Sequence, residues 1–502
     1  MNRGSAPSAA GEELRVDACV IGAGFGGLSA ALALAERGAK VLLCESLKYP
    51  GGCASTFVRG GCRFEAGATL FSGFDEGQPF RTWIDRHAMD VTVDPIDPMV
   101  ELRTGAMTLA VGRERSSLID AFCAMPDAPV DALRRFFTEQ RAVADALWAL
   151  FREPALLPPL SARALVAHIA RLPAYAPILR VIGRSVRSVL ARHELEGFEP
   201  LRQFLDAVLQ ITVQTASDDA EAPFGLSSMD YYFRGTGHVR GGIGSLASAM
   251  VTAIERSGGS VRMTDRVSAI ERDRDGWIVR SRRGTTRATH VIANVLPEAL
   301  EGLRRERYRE TAELAELVAN GWGAAMLYLV IEDDPSLPSQ AKHYELVHDP
   351  SRPFTDGNHV FVSLSSRDET ERAGPGQRTA TCSTHVYAAR LRAMTSDQQR
   401  AYIERVQDAM RCTMRARASD VYERTKREET ASPRTFERFT GRPGGYVGGV
   451  PRRVGLAQYG RLWPTELERG LWLVGDSVGL GQSTLATALT AIRTVDSIAK
   501  SG

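Results

Sequence analysis

Six residues near the N-terminus, Gly22-Ala23-Gly24-Phe25-Gly26-Gly27, constrain this chain more than any other feature. They spell G-x-G-x-x-G between a short apolar run at 16–21 and an alanine-rich stretch at 28–37, with a second apolar run at 40–45 behind. An apolar run ended by glycines reads as a buried parallel strand, and the alanine-rich stretch as the helix crossing back over the sheet. The segment therefore predicts a right-handed βαβ unit. Gly22 permits the tight turn, Gly24 lets a pyrophosphate approach the backbone, and Gly27 lets the helix pack closely on the strand. Phe25 and Gly26 lie between them, where the helix N-terminus supplies the positive end. Glu45 closes the second strand 23 residues after Gly22, with Ser46 beside it. A carboxylate there can accept hydrogen bonds from ribose hydroxyls, and it disfavours a 2′-phosphate.

At 502 residues the chain is too long for one simple core, and two or three domains are expected. Its 62 basic and 60 acidic side chains nearly cancel, which removes any overall electrostatic reason to expect nucleic acid as a partner. Seven cysteines are scattered without a C-x-x-C pair, so neither a zinc site nor a disulfide framework is indicated, and a reducing cytoplasm is the expected setting. The first 14 residues have no apolar core of signal-peptide length, and no later run reaches the ~20 apolar residues of a spanning helix. The expectation is a protein that is soluble or rests on a membrane surface, with a disordered leader at 1–13.

Further along, 124–196 changes to long helical patterns, with Pro158-Pro159 and arginines at 163, 171, 180, 184, 187 and 192 among Leu, Val and Ile. This reads as a helical cap. A helix at 245–257 and strands at 260–263, 277–280 and 289–294 return the chain to the first sheet. Strands at 324–331, 359–365 and 379–386 predict a second, mixed sheet, followed by helices at 396–417 and 484–498.

The N-terminal fingerprint alone does not choose between dinucleotides. Downstream lie Pro50-Gly51-Gly52-Cys53 and Phe64-Glu65-Ala66-Gly67-Ala68. Farther on come His238-Val239-Arg240-Gly241-Gly242-Ile243-Gly244-Ser245-Leu246, and finally Leu471-Trp472-Leu473-Val474-Gly475-Asp476-Ser477 with Gly481-Gln482-Ser483-Thr484. This set resembles the phytoene desaturases, carotenoid isomerases and wider amine-oxidase-like flavoproteins. The resemblance implies an α/β fold with a Rossmann-type FAD-binding domain at 14–90, 226–300 and 441–502. Into it are inserted a mixed-sheet substrate domain and a helical, possibly membrane-facing cap at 91–225 and 301–440.

It also implies that FAD is held by Gly51, Gly52 and Cys53 along the flavin, by Gly67 and Ala68 near the ring, and by Val267 at the adenine. Gly475 and Asp476 would hold the ribityl chain, and Gln482, Ser483 and Thr484 would form the helix start facing the flavin. Relatives commonly carry arginine where this chain has Cys53, a departure that leans toward the carotenoid-isomerase branch and away from amine oxidases. A small buried filler is the bland reading of Cys53.

Candidate pocket walls are Phe71, Met229, Tyr231, Tyr232, Phe233, Trp322, Tyr328 and Tyr446, the last set between glycines where it can project from a loop. Each alone is as readily explained as core. No triad, acid–base pair or metal spacing appears near them, and His238 is the one histidine worth testing. An apolar polyene needs positioning more than proton shuttling.

The resemblance thus implies a small lipophilic substrate, either desaturated by hydride loss to FAD with oxygen or a quinone as final acceptor, or isomerised without net redox change. Two other readings stay open. One is oxidation of an amine or other small metabolite; the other is a non-catalytic lipid-binding protein resembling the GDP-dissociation inhibitors, against which the kept Gly22, Gly24, Gly27, Glu45 and Asp476 argue. The basic-apolar stretch 160–195 has the make-up of helices lying on an anionic membrane, or of a solvated cap.

Overall fold

The computed structural model describes residues 14–463 and 466–501; the leader read at 1–13 lies outside them. β1 (Leu14–Ile21), α1 (Phe25–Ala35) and β2 (Val41–Cys44) form the expected βαβ unit. α1 is apolar on every side, FGGLSAALALA, and all eleven of its residues are buried, as a helix without a polar face must be. The parallel core of the first sheet runs in the order β3 (Ser260–Arg262), β2, β1, β4 (Gly284–Ala293), β5 (Leu471–Leu473). Val267–Asp273 and Gly276–Ser281 extend it as an antiparallel flap on the first half of β4. α2 (Thr484–Ser501) and the helix Ile243–Arg256 pack against α1, so segments from the start, middle and end of the chain share one core.

The second sheet has seven strands in the order Thr425–Ala431, Trp322–Glu332, Gln377–Tyr387, His359–Leu364, Lys342–Val347, Val100–Arg103, Thr108–Val111. It is mixed, because Lys342–Val347 pairs parallel with Val100–Arg103 while its other pairings are antiparallel. The helix Ser396–Arg417 buries Ile403, Val406, Met410 and Met414 against one face. Above both sheets a helical cap, including Val130–Phe151, Glu199–Thr212 and Ala222–Ser228, closes on a core containing Phe122, Phe136 and Phe204.

A buried charge cluster ties these parts together. Arg372 reaches Glu65 at 2.7 Å and Glu369 at 3.2 Å, and His238 meets Glu369 at 2.8 Å. The amides of Gly241 and Ser366 donate to Glu369, and that of Ile243 donates to Glu65. Gly242 holds φ +99° here, with the Glu65 carboxylate 2.8 Å from where a Cβ would stand, so no larger residue fits. His238, singled out from the sequence, is thus a structural partner of Glu369.

Candidate cofactor and substrate cavity

The carboxyl ends of β1, β4 and β5 open onto a cavity of about 740 Å³, within the range of ligand sites. Gly22, Gly24, Phe25 and Gly26 line it, followed by Glu45, Ser46, Gly51, Gly52, Cys53, Gly67, Ala68, Val267, Gly475, Asp476, Gln482, Ser483 and Thr484. Gly27 stands behind this wall, where a Cβ would collide with the Gly22 carbonyl; its role is the close packing of helix on strand.

Glu45 is buried, and its Oε2 accepts the Ala23 amide at 2.7 Å while Oε1 accepts the Leu47 amide at 2.7 Å. The acid at the end of β2 therefore pins the glycine turn as well as presenting remaining lone pairs to the cavity. Behind the turn lies Asn294, at the end of β4. Its Nδ2 donates to the Gly22 carbonyl, and a Cβ on Gly24, Gly26 or Gly475 would come within 2.8 Å of its amide. One side chain thus hydrogen-bonds the first glycine turn and packs closely against the second. Nothing in local pattern marks it, apart from its place at the carboxyl end of a predicted parallel strand.

At the other turn, Arg442 donates to Asp476 at 2.8 Å and to the Tyr446 carbonyl at 2.7 Å. Burial disfavours the Arg442 charge, yet the Asp476 carboxylate holds its pKa above the ordinary value. Burial pushes the Cys53 thiol up, against the pull of Arg442, which keeps it protonated and inert near neutral pH. Thr484 Oγ1 is buried without a partner at the start of α2, as an atom awaiting an oxygen-rich ligand would be. Bare glycine backbone, a pinned acid, a second carboxylate and an unpartnered helix-start hydroxyl together fit FAD.

Beyond this the walls turn apolar, with Leu147, Trp148, Phe151, Phe224 and Tyr231 from the cap and Ala324, Met326 and Phe361 from the second sheet. Tyr231 donates to the Leu70 carbonyl, and burial raises its pKa to about 12. His385 also lines the cavity; burial lowers its pKa to about 3, so it stays neutral.

The other wall candidates fall elsewhere. Phe71 belongs to the core around α1, Met229, Tyr232 and Phe233 to the cap core, and Tyr328 to the small core beside the hairpin 56–65. Trp322 donates to the Gln214 carbonyl from outside the wall. Tyr446 does not project from its loop; it is 2 % exposed, packed with Leu296, Val318 and Val450 under the Arg392 guanidinium. Flanking glycines free a backbone without deciding which way a ring turns. Asn294, Arg442, Arg452 and His385 were not singled out from the sequence, since each acquires its role from partners remote in the chain.

A parallel dinucleotide sheet and a mixed sheet sharing one such cavity define a two-domain flavoprotein. The chain belongs to the family described as flavin containing amine oxidoreductase, whose model matches residues 25–498, and it is an FAD-dependent oxidoreductase. It is 24% identical over 527 aligned residues to prolycopene isomerase 2, chloroplastic, of an Oncidium hybrid cultivar, covering 97% of this chain and 86% of that protein. It is 26% identical to human all-trans-retinol 13,14-reductase over 52% of this chain and 43% of that one. Among solved structures, an oxidoreductase from Methanosarcina mazei matches with TM-score 0.62 at 18% identity over 96% of this chain and 100% of that one. Putrescine oxidase bound to putrescine matches with TM-score 0.64 at 14% identity over 97% and 100%. These structural likenesses speak for the fold alone.

Proposed function

We propose that this enzyme acts on a long apolar polyene, isomerising its double bonds or desaturating it. The observation that carries the reading is the character of the cavity beyond the cofactor residues: aromatic and aliphatic walls, with a phenol held protonated and an imidazole held neutral. The whole-chain resemblance to prolycopene isomerases favours isomerisation, and the partial resemblance to retinol reductases also points to a conjugated lipid. Such walls exclude water and align a rod-like chain through Trp148, Phe151 and Phe224, while Glu45 and Asp476 hold the cofactor from the opposite end. FAD, when bound, supplies the exchange of electrons with the polyene. Amine oxidation is less well supported, because Tyr446, the aromatic candidate set between glycines, is turned into the core.

The cap supplies a route for such a substrate. The stretch 160–195 divides in two. Val186, Val189, Leu190 and Leu195 are buried, whereas Leu165, Val166, Ile169, Leu172 and Leu179 are half or more exposed. Arg163 and Arg180 stand exposed among the second group with no acidic partner among the described residues, while Arg187 and Arg192 are paired. Among the described residues no helix is long and apolar enough to cross a membrane. The exposed half is read as a peripheral contact with an anionic bilayer from which the polyene enters.

The test is product analysis. Purified enzyme with oxidised or reduced FAD is incubated anaerobically with cis and all-trans polyenes in liposomes. A new geometric isomer of unchanged mass supports isomerisation, and loss of two hydrogens with flavin bleaching supports desaturation. Turnover confined to small amines would defeat the reading.

A further inference from the structure

Arg452 is a buried cation that the fold leaves without an anion. It is 3 % exposed and lines the cavity. Its Nη2 donates to the Gly479 carbonyl at 2.9 Å, and the guanidinium lies over the Phe224 ring at 5.4 Å. Nε and Nη1 have no partner, and among the described residues no carboxylate pairs with this side chain. The nearby acid, Glu221, is already committed to the amides of Gly183 and Gly455 and the Tyr459 hydroxyl. Burial without a counter-ion lowers the Arg452 pKa to about 10, which leaves it charged at neutral pH.

A guanidinium in this setting is held at a standing cost of desolvation, which the protein recovers only when something else brings the negative charge. The position says what that is. Arg452 is tied through its own amide to the Val213 carbonyl and through its carbonyl to the Glu221 amide, and its side chain bridges from Phe224 of the cap to the Gly479 carbonyl in the loop between Asp476 and Gln482, where the cap meets the cofactor end of the cavity. The phosphate-type cradle of Gly22, Gly24 and Gly26 is built from other elements. Buried polar atoms of two more lining residues, Gln214 Oε1 and Ser227 Oγ, also lack partners. The apolar cavity therefore carries a polar, cationic spot within its substrate wall.

We propose that Arg452 anchors a carboxylate at one end of an elongated apolar substrate. The inference rests on the polyene reading and narrows it from a hydrocarbon to a polyene acid. Arg452 is a positioning residue that fixes which end of the chain enters and how far it slides past the flavin.

The probes are all-trans-retinoic acid and its methyl ester, which differ by one ionisable group, bound to the FAD-loaded enzyme at pH 8 and followed by quenching of tryptophan fluorescence, Trp148 being a wall residue. The expected result is that the acid binds about 30-fold tighter than the ester, the scale of a charge-assisted hydrogen bond. Arg452→Gln is expected to bring that ratio near one with ester affinity unchanged, and Arg452→Lys to keep part of it. Equal binding of acid and ester by the wild-type protein overturns the inference, and so does an Arg452→Gln variant that weakens both alike or shifts only the flavin potential. A wild-type protein that binds neither probe overturns the polyene reading itself, and the wild-type comparison stands even if the glutamine variant does not fold.

Discussion

Arg372 and Arg452 are both buried, and their surroundings are opposites. Arg372 sits between Glu65 and Glu369, with backbone amides completing both carboxylates, and these partners hold its charge against the pull of burial. Arg452 has one carbonyl, one aromatic face and, among the described residues, no acid. Charge burial is tolerated inside a protein for two reasons, and the pair separates them. A satisfied charge cements elements that must not move apart, whereas an unsatisfied one beside a cavity is reserved for a ligand.

Replacement of each arginine by methionine is the strongest challenge to that contrast. Arg372→Met strands two buried carboxylates and is expected to destabilise the protein by about 3–5 kcal/mol, read as a fall in the urea midpoint. Arg452→Met removes a charge with no carboxylate to strand, leaving only the Gly479 carbonyl without its donor, and ligand-free stability should hold or rise, by about 1–4 kcal/mol at most. Equal losses in the two variants would erase the distinction.

The carboxylates of the cofactor site stand between these extremes, since each is partly paired within the protein. Glu45→Ala and Asp476→Ala are each expected to weaken FAD retention by about 1–3 kcal/mol, measured as flavin content after dialysis. In Glu45→Ala the Ala23 and Leu47 amides also lose their acceptor, and in Asp476→Ala the Arg442 guanidinium loses its carboxylate.

Acid titration sharpens the comparison further. Burial works against the Glu369 charge, but the His238 hydrogen bond and Arg372 bring its pKa down to about 2, from an ordinary value of 4.5. A depressed carboxylate binds fewer protons folded than unfolded, so its stabilisation is complete above about pH 4.5 and drains away as pH falls toward 2. Stability measured across that window should fall less steeply in Glu369→Gln than in the parent. The smallest effect belongs to the exposed cap. Val166→Glu should change stability by no more than about 0.5 kcal/mol while reducing flotation with anionic liposomes.

Much of the framework was legible in the chain. The strand, glycine turn, helix and acid of 16–45, the strands of the second sheet read at 324–331, 359–365 and 379–386, and the helices at 396–417 and from 484 all follow from local periodicity and punctuation. Strands such as Lys342–Val347 and Thr425–Ala431 escaped that reading. The first places His343 and Glu345 in buried positions, where Ser363 pairs with His343 Nδ1 and Tyr232 and His359 meet Glu345, and the second is a polar edge, TKREETA, without apolar alternation.

The sequence by itself determined the dinucleotide turn, because a tight turn, a close phosphate approach and a helix N-terminus are set by residues within a few positions of one another. Only the tertiary structure decided that Asn294 stands behind two glycine turns, that Arg442 answers Asp476, that Tyr446 faces the core, and that Arg452 meets no acid among the described residues. Those outcomes depend on which side chains, tens to hundreds of residues apart, come to share one low-dielectric space, and there a charge is defined by its neighbours far more than by its own place in the chain.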